Sequence, residues 1–413
     1  MAADMTVQQT IRAPAQPPIG FVEFVALVAS LMALTALGID AMLPALPAIA
    51  TALNVGVAND RQLVIGVFLL GFGLAQLVHG PLADRYGRRP VLVASLSAYV
   101  IANLIAAFSA SFMLLLVARF AAGMAIAASR VVTVALVRDC YSGRAMARVM
   151  SLAFMVFMAA PVLAPSVGEL ILLFGSWRLI FVMIAAISGV ILIWFVIRMP
   201  ETQRIADRQP LSIERLWDGW RQALTDRFSI GYTLAATALM GGLYGFINSV
   251  QQIVGALTGD NRLLVPVFIG VASMMALANL LNSRIVMRLG TRRISHSALV
   301  GLVLLSTVHL VIARLGAETI YSFAILQALA MACFGLATAN FSSMAMENMG
   351  HIAGTASSVQ GFISVTGGAL AGAAIGQSFD GTTVPLYIGF LVAGLVALAI
   401  VAIVERGRLF RPS

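Results

Sequence analysis

Twelve apolar runs, each at least 21 residues long, divide this chain of 413 residues and constrain its fold more than anything else in it. A helix rises 1.5 Å per residue, so about 20 apolar residues cross a hydrocarbon core of about 30 Å. The runs fall at 21–48, 61–83, 90–110, 112–137, 147–174, 177–198, 228–255, 263–287, 294–314, 319–345, 353–378 and 383–404. Lipid offers backbone groups no hydrogen-bond partner, which leaves helices or a closed barrel. The runs show no period-two alternation, so they read as helices. Composition agrees: 60% of residues are apolar, 10% are charged and the mean hydropathy is +0.97, whereas soluble domains carry about 25% charged residues. The expected fold class is an all-α integral membrane protein with twelve transmembrane helices.

The net charge of +9 does not indicate nucleic acid, because the charges lie between the apolar runs and form no continuous basic face. They report topology. All 26 basic residues are arginine, and with the N-terminus in the cytoplasm 20 of them fall in cytoplasmic segments. Four lie outside (Arg61, Arg178, Arg262, Arg314) and two lie within span four. The positive-inside rule then places both termini in the cytoplasm. Trp177 and Trp194 bracket span six as interfacial anchors. The two cysteines, Cys140 and Cys333, have no metal-ligand spacing and suggest no disulfide. Residues 1–20 read as a disordered tail without a cleavable signal, and 405–413 as a short C-terminal tail.

The longest connection, 199–227, separates two six-span bundles at 21–198 and 228–404. Ile213, Leu216, Trp217, Trp220, Leu224 and Phe228 recur in it at helical spacing, which predicts an amphipathic helix on the cytoplasmic interface. Arg288-Leu289-Gly290-Thr291-Arg292 matches Arg85-Tyr86-Gly87-Arg88-Arg89 between the second and third spans of each half. This is the sign of two parallel repeats. The repeat is imperfect, since Met287 stands where the first half has Asp84 and Ser283 where it has Gly80.

Charged and polar groups inside the spans carry the functional information. Asp40 and Arg119 each lie about 12 Å from the outer ends of spans one and four at 1.5 Å per residue. A lone charge at such a depth costs about 2.5–3.5 kcal/mol on insertion scales, so a partner or a wet cavity is expected. Asp40 can exchange a proton with Arg119 as its charge partner, or the two can form a permanent structural pair. Arg130, three turns after Arg119, lines the inner half of the same cavity or snorkels to the interface. Tyr244, Asn248 and Gln251 in span seven, with Gln327 and Asn340 in span ten, form a polar cavity wall or interhelical hydrogen bonds. Met32 and Ala36 precede Asp40 on one face and give it an adaptable apolar wall or ordinary core packing. In span five, Pro161 and Pro165 remove backbone donors and predict a bend, while Gly168 allows close helix approach. Glu169 beside them is a second titratable site or a solvated rim carboxylate.

Gly80-x-Leu82-Ala83-Asp84-Arg85-x-Gly87-Arg88-Arg89 resembles the loop signature of the major facilitator superfamily. Leu115-x-x-x-Arg119-x-x-x-Gly123 is similar to the fourth-helix signature of its proton-coupled members, and Pro161 to Gly168 to the fifth-helix motif of drug/proton antiporters. Asp40-Ala-Met-Leu-Pro44-Ala-Leu-Pro47, Ala128-Ser129-Arg130 with Val137-Arg138-Asp139, and Gly354-Thr355-Ala356-Ser357 resemble the bicyclomycin and chloramphenicol resistance group of that branch. Ala122 replaces a glutamine, Glu169 a glycine, and Met32 occupies the place of a second acid, which favours a mechanism centred on Asp40 alone.

The resemblance implies a proton-coupled multidrug efflux antiporter of a bacterial inner membrane, exporting small hydrophobic compounds through a cavity lined by spans one, four, seven and ten. Gly123 falls within that cavity set. The proton gradient replaces any cofactor or metal; the expected partners are substrate, protons and the bilayer, and a monomer is expected. The family loop implies a latch in which Asp84 meets the start of span eleven near 351–355 and Arg85 and Arg88 meet Asp139. Export or symport of a metabolite such as an amino acid or sugar on the same fold stays open. A channel lacks a filter loop here and an enzyme lacks a catalytic cluster.

Overall fold

Proline and glycine set where the helices stop. The computed structural model describes residues 19–208 and 213–410. The expected N-terminal tail falls almost wholly outside them. The helices are α1 (Phe21–Asp40), α2 (Leu46–Ala52), α3 (Leu63–Tyr86), α4 (Arg88–Ala107), α5 (Phe112–Cys140), α6 (Gly143–Phe174), α7 (Arg178–Arg198) and α8 (Ile213–Thr225) in the first part of the chain. They continue as α9 (Arg227–Thr258), α10 (Leu264–Leu289), α11 (Thr291–Arg314), α12 (Ile320–Ala345), α13 (Ala353–Gln377) and α14 (Val384–Val404). Side chains start several of them: Ser111 accepts from the Leu114 amide at 3.2 Å, Asp226 from the Ser229 amide at 2.7 Å, and Thr319 and Ser322 cap α12 reciprocally. Gly87 (φ +106°) and Gly290 (φ +80°) make the matching turns between the second and third spans of each half. That backbone conformation favours glycine and explains why the repeat keeps it.

Among the described residues, eleven segments are long and apolar enough to cross a membrane, counting α1 and α2 with the turn between them as one. The twelfth, α6, runs continuously for 32 residues through both Pro161 and Pro165. The packing of the first six spans recurs in the second six. The pairs α1/α6, α3/α5, α4/α5 and α4/α7 correspond to α9/α13, α10/α12, α11/α12 and α11/α14. The two bundles meet where α3 packs along α13 and α6 against α10. Small residues permit the first of these seams: a side chain at Gly73 would meet Thr366, one at Gly361 would meet Gln76, and one at Gly80 would come within 3.3 Å of Ser358.

The α8 helix does more than lie on a surface. Trp217 is exposed, but Trp220 and Ala223 pack with Met349, Ala356 and Val359 against the start of α13. A side chain at Gly219 would come within 2.8 Å of Thr355. The link between the bundles is therefore attached to the second bundle at the end of the α3/α13 seam.

Candidate functional site

The first span breaks at Asp40, and the sequence says why. The carbonyl of Asp40 would accept from the amide of residue 44, which is a proline and has none. Pro47 removes the next donor but two, so the chain turns through a short 3-10 segment (Leu43–Ala45) before α2 begins. Asp40 thus ends α1 as a buried carboxyl, 4% exposed, whose Oδ1 has no hydrogen-bond partner. The broken backbone is braced by α6: a side chain at Gly168 would strike the Ala41 carbonyl. Glycine is required there because helix meets backbone directly.

Arg119 does not pair with Asp40. It is fully buried, and its guanidinium donates to two backbone carbonyls, Nη2 to Gly38 at 2.8 Å and Nε to Val64 at 3.0 Å. The charge also lies 4.2 Å above the Phe68 ring. Arg119 therefore ties α5 to α1 one half-turn before the break, and to the start of α3. The reason is local at Gly38, whose carbonyl lies in the last turn of α1 and lacks an intrahelical donor; the Val64 carbonyl, in the first turn of α3, accepts on its second lone pair, and a planar fork of donors reaches both. Backbone acceptors leave no trace in a sequence, so the expectation of an ion pair missed them.

Arg130 is exposed, with no hydrogen bond or ion pair among the described residues, and Tyr244 on α9 lies within electrostatic reach of both Arg130 and Asp40. These three groups come from both bundles. Gln327 is fully buried with both amide atoms unpartnered, and the amide oxygens of Asn248 and Gln251 are likewise buried and unpartnered. Met32 and Ala36 are buried in the α1 core, at 5% and 4% exposure. Two expected cavity residues belong elsewhere. A side chain at Gly123 would strike the Phe68 carbonyl, so Gly123 is a contact between α5 and α3. Asn340 donates to the Asn282 side chain at 2.9 Å and to the Leu336 carbonyl at 2.7 Å, which makes it a tie between α12 and α10. Glu169 is exposed, as a rim carboxylate is.

Near the 53–62 loop, a set of amides not anticipated from the sequence joins the bundles. Asn59 Nδ2 donates to the carbonyls of Gln377 (3.0 Å) and Phe379 (2.9 Å), and Gln377 Nε2 returns a bond to the Asn59 carbonyl at 3.0 Å. Gln252 Nε2 donates to Asn59 Oδ1 at 2.8 Å and its oxygen accepts from Gln62. This clasp ties the two bundles together. Gln252→Ala removes two of its bonds, worth about 0.5–1.5 kcal/mol each. With spin labels at Val57 and Ser378 in a cysteine-free background, the distance distribution is expected to move toward longer separations, by roughly five- to a hundredfold in population. An unchanged distribution would remove the clasp from the gating account.

The arginine-rich face holds the opposite cluster. Arg88, 4% exposed, donates to Asp84 at 2.6 Å and to Asp139 at 3.1 Å. Arg85 instead stacks over Tyr86 at 5.3 Å, and Asp139 takes Thr202 as its other partner at 3.3 Å. The Asp84 side chain thus pairs within its own bundle, while its carbonyl accepts from Gln203; the side chain of residue 351 lies outside the described residues. The start of α4 has a cap from far along the chain, since the Glu201 carboxylate accepts from the Arg88 and Arg89 amides at 3.0 and 3.2 Å. Arg89 in turn caps the end of α7 through the Met199 and Val196 carbonyls. The second bundle answers with Arg292 on Glu405 at 2.7 Å, with Tyr232 donating to the same oxygen at 2.5 Å. The repeat therefore extends to the acid that follows the last span of each half.

The family model described as Major Facilitator Superfamily matches residues 28–372. The chain is 29% identical over 380 residues to a bicyclomycin resistance protein homolog of Haemophilus influenzae, covering 88% of this chain and 91% of that one. It is 29% identical over 376 residues to the multidrug resistance protein MdtL of Klebsiella pneumoniae, covering 88% and 92%. Among solved structures, the xylose transporter XylE from E. coli, in a partially occluded inward open conformation, superposes with a TM-score of 0.71 at 13% identity, covering 92% and 96%. That likeness speaks to the fold. The spans and the bacterial relatives make this a multi-pass bacterial inner-membrane protein and a transporter, not an enzyme. From residue 28 to residue 372, and so over most of its length, the chain belongs to the Major Facilitator Superfamily.

Proposed function

We propose that the chain is a proton-driven exporter of small, largely apolar compounds, with Asp40 as the proton-carrying group. The observation that carries this reading is the carboxyl itself: buried at a helix break, within electrostatic reach of Tyr244 on the other bundle and bound by no ion pair among the described residues, its charge is not fixed by a neighbour. A permanent Asp40–Arg119 pair would have argued for a structural role, and the carbonyl bonds of Arg119 supply the structural account without it. The drug-resistance names of the relatives favour efflux over uptake. We place the arginine-rich face in the cytoplasm, so that the amide clasp closes the outer side. Proton entry from outside, once the clasp opens, then displaces bound compound.

In proteoliposomes holding the purified chain and a pH-sensitive dye, addition of chloramphenicol or ethidium is expected to drive protons against the direction of compound movement. Movement of protons and compound in the same direction would replace antiport with symport.

A further inference from the structure

Arg130 is a cation that the proposed mechanism does not use. It lies about 27 Å along α5 from Phe112 and about 15 Å from Cys140 at 1.5 Å per residue. At 3.6 residues per turn it points about 20° from the direction of Arg119. Of the exposed large apolar residues of α5, Met113, Leu114, Val117 and Met124 point about 120–160° from Arg119 at the same helical repeat, and Val134, one turn beyond Arg130, points about 60° from it. Arg130 is thus exposed on the side of the helix turned away from the apolar flank. The electrostatic interaction with Tyr244 places that side toward the opposing bundle. An arginine at such a depth without hydrogen bond or ion pair requires a wet, interior opening.

Its surroundings have a definite polarity. Tyr244 interacts electrostatically with both a cation, Arg130, and a carboxyl, Asp40. The side chain of Tyr244 is held against α13, since a Cβ at Gly368 or Gly372 would crowd it.

We propose that this site selects amphoteric compounds, holding an acidic group on Arg130 and a basic amine near Asp40 with Tyr244 between them. The inference rests on reading this space as the transport site. It also fits proton exchange. A compound bearing only an anion would be repelled by ionised Asp40 and favoured by its protonated form, so compound and proton would travel together. An amine competes with the proton for the same carboxyl, which is what antiport needs. The anionic end then adds affinity through the planar donors of Arg130, as guanidinium–carboxylate pairs do.

The test compares three fluorescent quinolones on the detergent-purified full chain: norfloxacin, which carries a piperazine amine and a carboxylate, its ethyl ester, and its N-acetyl derivative. Wild type is expected to bind norfloxacin about tenfold or more tighter than either derivative, the scale of one charge-assisted hydrogen bond. Arg130→Met should abolish the preference over the ester and keep the preference over the acetyl compound. Arg130→Lys should restore most of the first preference, which separates the role of the charge from a folding defect. Equal binding of ester and norfloxacin by wild type, equal losses for all three in Arg130→Met, or no binding of norfloxacin would overturn the inference. Proton exchange driven by the N-acetyl compound as well as by norfloxacin would overturn it too, and would leave the exporter reading standing. Absence of proton movement with any compound, chloramphenicol and ethidium included, counts instead against the exporter.

Discussion

Asp40→Asn is expected to abolish uphill transport while sparing downhill exchange of substrate. With one proton exchanged per compound, each pH unit across the membrane is worth about 1.4 kcal/mol and sustains about a tenfold compound gradient. Asparagine has nearly the shape of aspartate but cannot exchange a proton in the working range. The gradient held by the variant should therefore collapse to about onefold at any imposed pH difference. Counterflow of labelled against unlabelled compound should persist, because the α1 break depends on Pro44 and on the bracing at Gly168, not on the carboxyl charge. Uphill accumulation at the wild-type level in Asp40→Asn would remove Asp40 from the proton path. Loss of counterflow together with accumulation would show that the carboxyl is needed for binding, and the preference of the same variant among the three quinolones identifies the amine as its target.

Much of the fold can be read from the chain because its signals are local. Apolar length set the spans and the glycines at 87 and 290 set equivalent turns in the two halves, whereas the break at Pro44 falls inside what reads as one continuous span, 21–48. What could not be read depends on partners far apart in sequence or on backbone atoms. Glu201 caps a helix that begins 113 residues earlier, and nothing about an acid after the sixth span announces that. Asn59 and Gln62 sit in a polar loop like many others, and only the approach of α9 and α13 makes them a clasp. The buried cluster at one end of the second bundle is a similar case: Glu318 meets His309 at 3.3 Å and accepts from Tyr387 at 3.2 Å and from Thr383. Gly123 shows a different limit. It lies about 40° from Arg119 around α5 at 3.6 residues per turn, close enough to share a face on paper. The same face contains both an opening and a helix contact, and a one-dimensional pattern cannot separate them.

That limit bears most directly on Arg119, where the two readings of the residue predict opposite results. If Arg119 served as the charge partner of Asp40, a lysine would keep the charge and retain much of the coupling. The structure gives it another task, donating from two nitrogens of one rigid plane to the Gly38 and Val64 carbonyls. A lysine ammonium on a flexible stem does not reproduce that fork, and buried without a counter-charge it is driven to lose its proton. Each bond from a charged donor contributes about 1.5–3 kcal/mol, and an orphaned buried carbonyl costs about 1–3 kcal/mol. Arg119→Lys is therefore expected to lower the melting temperature of the purified protein and to abolish accumulation and counterflow alike. Asp40→Asn should lose accumulation alone. The contrast separates positioning from coupling: Arg119 fixes where α1 ends, and the end of α1 is where the carboxyl must stand. Full accumulation and an unshifted melting curve in Arg119→Lys would reinstate the charge-partner role and sink the positioning one.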